Sequence, residues 1–147
     1  MDSYHNGLNI LLVDDSEDDV VMAQKAFAQL SFPHKLETAL SAQAALDYLR
    51  CRGGYADRKP VLPDLLLLDI NMPLMDGFAL LKILKADQLL KKIPVIMLTS
   101  SSAREDVARS YDCGAASYIT KPESFEGFKN LMGDFGKYWL TVSALPQ

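Results

Sequence analysis

The sequence predicts a single α/β domain in which helices cover both faces of a parallel sheet. Five short apolar segments alternate along the chain with segments of helical periodicity, as parallel strands joined by helical crossovers require. The strongest strand contains four consecutive leucines, residues 65–68, which must be covered on both faces. A length of 147 residues suits one domain of this class and leaves no comfortable room for a second.

The predicted strands are apolar runs bounded by polar or turn-forming residues. Their limits are Leu8 to Val13, His34 to Thr38, Asp64 to Asp69, Pro94 to Thr99 and Ala116 to Thr120. The one long irregular stretch, Cys51 to Pro63, is rich in glycine and proline, and we expect it to be an exposed loop.

Helix boundaries follow from capping residues. Ser16 and Ser41 are expected to cap the first two helices, and the third is predicted over Gly77 to Ala86. Ser102 with Glu105 predicts a capping box at the start of the fourth helix, which should end near Gly114. The last helix should follow Pro122.

Composition excludes several classes of protein. The apolar fraction of 49% and the net charge of −4 are those of an ordinary globular domain, and no basic stripe suggests direct nucleic-acid binding. No apolar run reaches the length of a membrane span, and the first residues lack a secretory signal, so we expect a cytoplasmic protein. Cys51 and Cys113 lie far apart without metal-ligand spacing and are expected to be free thiols.

Polar residues stand at the carboxyl ends of four predicted strands, where open α/β sheets bind ligands. They are Asp14 and Asp15 after the first strand, Asp69 at the third, Thr99 and Ser100 at the fourth, and Lys121 after the fifth. Any single strand-ending aspartate is more often a helix cap or turn former. The agreement of four strand ends favours one common cleft.

The chemistry of such a cleft can be anticipated. Clustered carboxylates repel one another unless a cation intervenes, and Mg²⁺ is bound by one or two carboxylates together with waters and phosphate oxygens. An aspartate beside the metal can act as a nucleophile toward phosphorus. Lys121 would then pair with the product phosphate, and the Thr99 hydroxyl would hydrogen-bond one of its oxygens.

These residues resemble the receiver domain of two-component response regulators. The resemblance spans about residues 8–132 and is carried by four motifs in order: Asp14-Asp15, Asp69-Ile70-Asn71-Met72-Pro73 with Asp76-Gly77, Thr99-Ser100, and Lys121-Pro122. It implies a flavodoxin-like fold with strand order 2-1-3-4-5, in a three-layer arrangement. It also implies a single receiver domain over residues 1–147, in which residues 133–147 form a helical extension and tail.

The resemblance further implies individual roles. Asp69 would accept a phosphoryl group from a phosphohistidine of a sensor histidine kinase, and Lys121 would contact that group. Asp15 and Asp69 would bind Mg²⁺, or alternatively Mn²⁺, by their side chains, with Asn71 contributing its backbone carbonyl and Asp14 acting through water. Thr99 and Tyr118 would be the two switch residues that reorient after phosphorylation.

Two peripheral segments narrow the resemblance. The long loop from Cys51 to Pro63 and the extended C-terminus are similar to those of stand-alone regulators that partner phytochrome histidine kinases of the cyanobacterial type. With no output domain, such a chain would act through protein contacts or pass its phosphate onward. The last helix also carries more aromatic residues than one core-facing stripe needs. Either the tail folds back and buries them within its own chain, or they form an interface, and we expect a homodimer through the fourth helix, fifth strand and fifth helix. The residues expected at this interface are Phe125, Phe128, Phe135 and Trp139.

Two other functions fit the sequence less well. A phosphatase of the haloacid-dehalogenase type also uses an aspartate nucleophile, but it needs a second aspartate where this chain has Asn71. A flavin or dinucleotide module would need a phosphate-binding first loop, whereas Asp14, Asp15, Glu17, Asp18 and Asp19 would repel phosphate.

Overall fold

The sheet consists of five parallel strands in the order β2-β1-β3-β4-β5, which confirms the predicted architecture. The computed structural model describes residues 7–142, and for residue 142 only the backbone. The strands are β1 (Leu8–Val13), β2 (His34–Ala39), β3 (Leu65–Leu68), β4 (Val95–Thr99) and β5 (Ser117–Thr120).

Strand register aligns the carboxyl ends of the central strands. Val13 at the end of β1 pairs with Leu68 at the end of β3, and Thr99 at the end of β4 pairs with Thr120 of β5. Because all four pairings are parallel, the residues that follow these positions emerge at the same edge of the sheet.

Within the described residues 7–142, five helices connect and flank the strands. They are α1 (Glu17–Ala28), α2 (Ala42–Arg50), α3 (Gly77–Ala86), α4 (Arg104–Asp112) and α5 (Phe125–Lys137). Short 3₁₀ turns occur at Gly53–Tyr55 and Leu90–Lys92, and a π-helical turn, Tyr138–Val142, continues α5. Within residues 7–142 no helix is both long and apolar enough to cross a membrane.

Side-chain caps begin four of the helices. Ser16, Ser41, Asp76 and Ser124 each accept a hydrogen bond from the backbone amide three residues later. The predicted capping box at Ser102 and Glu105 is wrong. The N-cap of α4 is Ala103, which offers no side-chain cap, because the neighbouring hydroxyl of Ser101 is engaged with Asp106 instead.

Two apolar cores lie on opposite faces of the sheet. One packs alternate side chains of β1, β3 and β4 against α2 and α3, and the other packs the remaining alternate side chains against α1 and α5. Helix α4 contributes only Ser110 to the buried residues, so it is the helix held most weakly by packing.

The aromatic residues of the last helix lie mostly inside the molecule, which corrects part of the predicted interface. Phe128 is 1% exposed and Phe135 is 7% exposed, and both belong to the core between α1 and α5. Phe125 and Trp139 are half-buried against the same core. Phe128 and Phe135 are therefore core residues and do not belong to the predicted interface, because α5 turns both side chains toward α1 and the sheet.

The loop between α2 and β3 is ordered by one arginine. Arg58 donates hydrogen bonds to the carbonyl oxygens of Lys59, at 2.9 Å, and Val61, at 2.7 Å, and its guanidinium lies 3.7 Å from the centre of the Tyr48 ring. Such a stack is the usual arrangement of arginine on an aromatic face. Most residues of the loop are exposed or half-buried, as predicted, and Arg58 also ties the loop to α2.

Candidate functional site

The sheet register brings the predicted site residues together at one edge. The amide of Asp69 donates to the carbonyl of Val13 at 3.0 Å, so Asp14 and Asp69 lie side by side. The amide of Lys121 donates to the carbonyl of Thr99 at 2.8 Å, which places these two residues next to each other on the other side. The structure thus confirms that four strand ends converge on one cleft.

Three carboxylates form the acidic part of this cleft. Asp14, Asp15 and Asp69 each offer an oxygen atom, and these atoms lie within 4.8 Å of one another. Asp14 is buried, Asp69 is half-buried and Asp15 is exposed, so the cluster is open to water on the side of Asp15. An all-oxygen ligand set with room for water fits Mg²⁺ or Mn²⁺ and not a thiolate- or imidazole-binding metal.

Lys121 provides the positive charge of the cleft. Its Nζ lies 2.6 Å from Oδ2 of Asp14 and 3.1 Å from Oδ2 of Asp19, and the side chain of Asp14 is only 1% exposed. The other oxygen of Asp14 accepts a hydrogen bond from the amide of Ser16 at 3.0 Å. Both oxygens of this buried carboxylate are therefore occupied by donors, as a buried charge requires.

The pKa values of Asp69 and Lys121 are both raised, but burial acts on them in opposite directions. Burial raises the pKa of Asp69, and the charge of Asp14 adds to this, outweighing Lys121 and the Thr99 hydroxyl, which favour the carboxylate. Burial alone would lower the pKa of Lys121, but its contact with Asp14 and the charge of Asp69 outweigh burial, so its pKa is raised. Lys121 thus stays charged at neutral pH beside a carboxylate that is costly to ionise.

A chain of contacts connects Thr99 to Tyr118. Thr99 is fully buried, and its hydroxyl faces the amide of Ser101 at 3.5 Å, a long contact. The carbonyl of Ser101 accepts a hydrogen bond of 2.7 Å from the Tyr118 hydroxyl. The hydroxyl of Ser101 donates to Asp106 of α4 at 2.6 Å. The two predicted switch residues are therefore joined through the loop that precedes α4.

The loop from β3 to α3 is closed tightly behind Asp69. The amide of Gly77 donates to the carbonyl of Ile70 at 2.8 Å, and a Cβ atom at position 77 would collide with the carbonyl oxygen of Asp69. Glycine is therefore required there by close backbone approach. Asn71 lies in this loop, exposed to solvent, two residues after Asp69.

Sequence reasoning missed three residues of the cleft. From the sequence, Asp19 is assigned only to the acidic residues that would repel phosphate, yet it is also the second partner of Lys121. Ser101 and Asp106 were not singled out at all, although they connect Thr99 and Tyr118 to α4. The only local signal for Asp19 is its place in the first turn of α1, directly after the loop that carries Asp14 and Asp15.

Comparison with known proteins identifies the same residue range as the sequence motifs. The family model described as the response regulator receiver domain matches residues 10–132. A probable methanogenesis regulatory protein, FilR2 of Methanothrix harundinacea, is 37% identical over 93% of this chain and 86% of its own length. The response regulator Rcp1 of Synechocystis is 33% identical over 93% of this chain and 92% of its own.

Solved structures agree with these sequence matches. The crystal structure of the phosphorylated cyanobacterial phytochrome response regulator RcpA superimposes with a TM-score of 0.86 at 35% identity, covering 96% of this chain and 99% of RcpA. The Mn²⁺-bound form of Rcp1 superimposes with a TM-score of 0.83 at 32% identity, covering 95% of this chain and 99% of that one. The similarity therefore extends through the loop and the C-terminal helix as well as the core.

Proposed function

Since this chain belongs to the receiver-domain family of response regulators, we propose that it is a signalling switch operated by phosphorylation of Asp69. The observation that carries the proposal is the cleft itself, in which three carboxylates meet within 4.8 Å beside the charged Lys121. Of the three carboxylates, Asp69 directly follows the fully buried strand β3. Asp15 is exposed and Asp14 is paired with Lys121 at hydrogen-bond distance, whereas Asp69 is half-buried and is not paired with Lys121 in this way. Its position suits a nucleophile that a donor can reach.

The proposed reaction transfers a phosphoryl group from a phosphohistidine of a sensor histidine kinase. A carboxylate oxygen of Asp69 attacks phosphorus, the P–N bond to the imidazole breaks, and the released nitrogen keeps the electron pair and takes a proton from water. Lys121 lies where its ammonium can pair with the transferred group, and the Thr99 hydroxyl can donate to one of its oxygens. Lys121 would then exchange part of its contact with Asp14 for the phosphoryl oxygens.

The proposed metal ion is Mg²⁺, with Mn²⁺ as the alternative. Asp15 and Asp69 would hold it by their carboxylates, Asn71 by its backbone carbonyl, and Asp14 through water. When bound, the ion neutralises negative charge on the transferring group. The Mn²⁺-bound structure of Rcp1 supports this assignment, because that regulator carries a divalent ion on the same fold.

The proposed switch uses the contacts between Thr99, Ser101 and Tyr118. Phosphorylation adds roughly −1.5 to −2 charges and new acceptor oxygens beside Thr99. A Thr99 hydroxyl drawn toward that group gives up its long contact with the Ser101 amide. The loop then rearranges, so that the hydrogen bond from the Tyr118 hydroxyl to the Ser101 carbonyl breaks and re-forms in a new geometry. Helix α4 moves with the loop, because it buries only Ser110.

We further propose that the donor is a histidine kinase of the phytochrome type. RcpA is a cyanobacterial phytochrome response regulator, and the structural match with this chain covers 99% of RcpA. That coverage includes the extended segments, which a generic receiver would not need to share.

The proposed active assembly is a homodimer formed through α4, β5 and α5. β5 lies at an edge of the sheet, and beside it an apolar groove of about 350 Å³ is lined by side chains that include Ile119, Leu131 and Trp139. Tyr111 of α4 and Tyr138 beyond α5 are about half exposed. A symmetric pair would cover these side chains in both copies.

The decisive experiment compares wild type and Asp69→Asn as acceptors. Both are incubated with acetyl phosphate and, separately, with an autophosphorylated phytochrome histidine kinase, and the product is resolved on phosphate-affinity gels. We expect wild type to be labelled only with Mg²⁺ or Mn²⁺ present, and Asp69→Asn to remain unlabelled while it melts cooperatively. Labelling of the variant, or labelling of wild type in excess EDTA, would overturn the assignment.

A further inference from the structure

An exposed leucine occupies an unfavourable backbone conformation close to the phosphoacceptor cleft. Leu74 is fully exposed. Its φ angle of 70° lies in the left-handed region, which is unfavourable for residues other than glycine and asparagine. The amide of Met75 donates to the carbonyl of Pro73 at 2.8 Å, so Leu74 is the central residue of a γ-turn with positive φ. This form of γ-turn is rare and strained.

The loop holds Leu74 in place. On either side of it, Met72 is buried in the core and Met75 packs against the same core. The hydrogen bond between Gly77 and Ile70 closes the loop at its base. Pro73 and Leu74 are both exposed, and Leu74, the central residue of the γ-turn, gains no burial within its own chain.

The position of Leu74 relates this surface to phosphotransfer. Leu74 is four positions after Ile70 in the chain, so its Cα atom lies within about 14 Å of the Cα of Ile70, even for a fully extended loop. Any protein that delivers a phosphoryl group to Asp69 must approach this edge of the sheet. Backbone strain combined with an exposed apolar side chain at such a place indicates a binding function, since folding alone would favour glycine there.

We infer that Leu74 is an anchor residue for the phosphodonor kinase, burying its side chain in an apolar patch beside the phosphohistidine. The inference rests on the proposed function and adds a contact that a small phosphodonor does not use. Burial of one leucine corresponds to roughly tenfold to a hundredfold in affinity. Leu74 touches no reacting group, so its removal should weaken docking without changing the transfer step.

The test measures phosphotransfer to Leu74→Asn and Leu74→Gly. Both replacements tolerate positive φ and remove the apolar side chain. The donors are acetyl phosphate and, from a panel of autophosphorylated histidine kinases that includes a cyanobacterial phytochrome, the kinase that labels wild type fastest. Leu89→Asn is the matched control, because Leu89 is also an exposed leucine, 60% accessible, but precedes β4 at the opposite end of the sheet.

We expect both variants to accept from acetyl phosphate within about twofold of wild type and to melt no lower than wild type, since the strain is relieved. With the kinase, the half-saturating regulator concentration should rise about tenfold or more, with the maximal transfer rate unchanged. Leu74→Met should restore docking, and Leu89→Asn should behave as wild type.

Unchanged kinase transfer in both variants, or an equal loss in Leu89→Asn, would overturn the role of Leu74. A loss with acetyl phosphate as well would show that the residue acts on the cleft itself and not on docking. Failure of wild type to accept from either donor would instead overturn the proposed function, and the docking role with it.

Discussion

Asp69 carries an electrostatic cost in the folded protein, because burial raises its pKa above the ordinary value of 3.8. The folded protein therefore binds this proton more tightly than the unfolded chain does. Ionisation of Asp69 then lowers the free energy of unfolding as pH rises from about 3.8 through the folded pKa.

This cost predicts that Asp69→Asn stabilises the fold. In EDTA at pH 7 we expect the variant to melt a few degrees above wild type, and at about pH 4 the difference should be smaller, since a larger fraction of wild-type Asp69 is protonated there than at pH 7. Thermal melts by circular dichroism at both pH values would measure it. Addition of Mg²⁺ should stabilise wild type more than the variant. A variant that melts below wild type at pH 7 would contradict the raised pKa.

Lys121 is expected to be essential for stability as well as for chemistry. Its replacement in Lys121→Met leaves Asp14, which is 1% exposed, as a buried charge without its cation. We expect a loss of about 3–5 kcal/mol in the free energy of unfolding, measured by urea denaturation. The double variant Lys121→Met, Asp14→Asn should recover part of this loss. Equal and additive losses in the two single variants would mean that the pair is not coupled.

The residues of the cleft were predictable from sequence to the extent that the topology determines their positions. In a parallel sheet the carboxyl ends of the strands share one edge, so Asp14, Asp69, Thr99 and Lys121 had to converge once the strands were recognised. The pairing of Lys121 with Asp19 was not predictable, because it depends on how α1 packs over the sheet.

At the scale of elements, α4 and the loop before it are the part of the fold with the weakest packing. The helix has one buried residue and no side-chain cap, and its loop is fixed by the polar contacts of Ser101 with Tyr118 and Asp106. A sequence pattern of serine followed by glutamate predicted a cap at Ser102. That prediction failed because the tertiary contacts of the loop, which local sequence does not determine, place Ala103 at the helix start.

This arrangement predicts that Tyr118→Phe loosens α4 selectively. The variant loses the hydrogen bond to the Ser101 carbonyl, worth about 1 kcal/mol, so the amides of α4 should exchange several times faster. Hydrogen exchange followed by mass spectrometry would show it, with Tyr111→Phe on the exposed side of α4 as the control. Phosphorylation with acetyl phosphate and Mg²⁺ should change α4 exchange in wild type and not in Asp69→Asn. An equal increase in amide exchange in all helices of Tyr118→Phe would contradict a local role of the Tyr118 hydroxyl.

At the scale of the whole molecule, the side of the sheet covered by α1 and α5 buries most of its aromatic residues and leaves an apolar surface beside β5. The aromatic surplus of α5 suggested an exposed patch, but most of it fills the core against α1, as the burial of Phe128 and Phe135 shows. Hydrophobic periodicity correctly predicts helix α5 but wrongly predicts that Phe128 and Phe135 are exposed, because it does not reveal how much of the helix surface a neighbouring helix covers. The apolar surface that remains on this side lies beside the edge strand β5 and includes Tyr138 and Trp139.

The homodimer proposal can therefore be tested at a residue that is outside the core. Tyr138 is 50% exposed, so Tyr138→Glu should leave the fold intact, whereas a charge at Phe128 would unfold it. We expect wild type to dimerise in a concentration-dependent manner and the variant to remain monomeric at concentrations at least about tenfold higher, since one glutamate per copy places two like charges across a two-fold axis. Multi-angle light scattering over a wide concentration range would measure both, with and without acetyl phosphate and Mg²⁺. Leu89→Glu places a charge at an exposed leucine, 60% accessible, away from β5; it is the control and should dimerise as wild type does. A wild type that stays monomeric at millimolar concentration in both phosphorylation states would mean that the groove beside β5 serves another purpose than self-association.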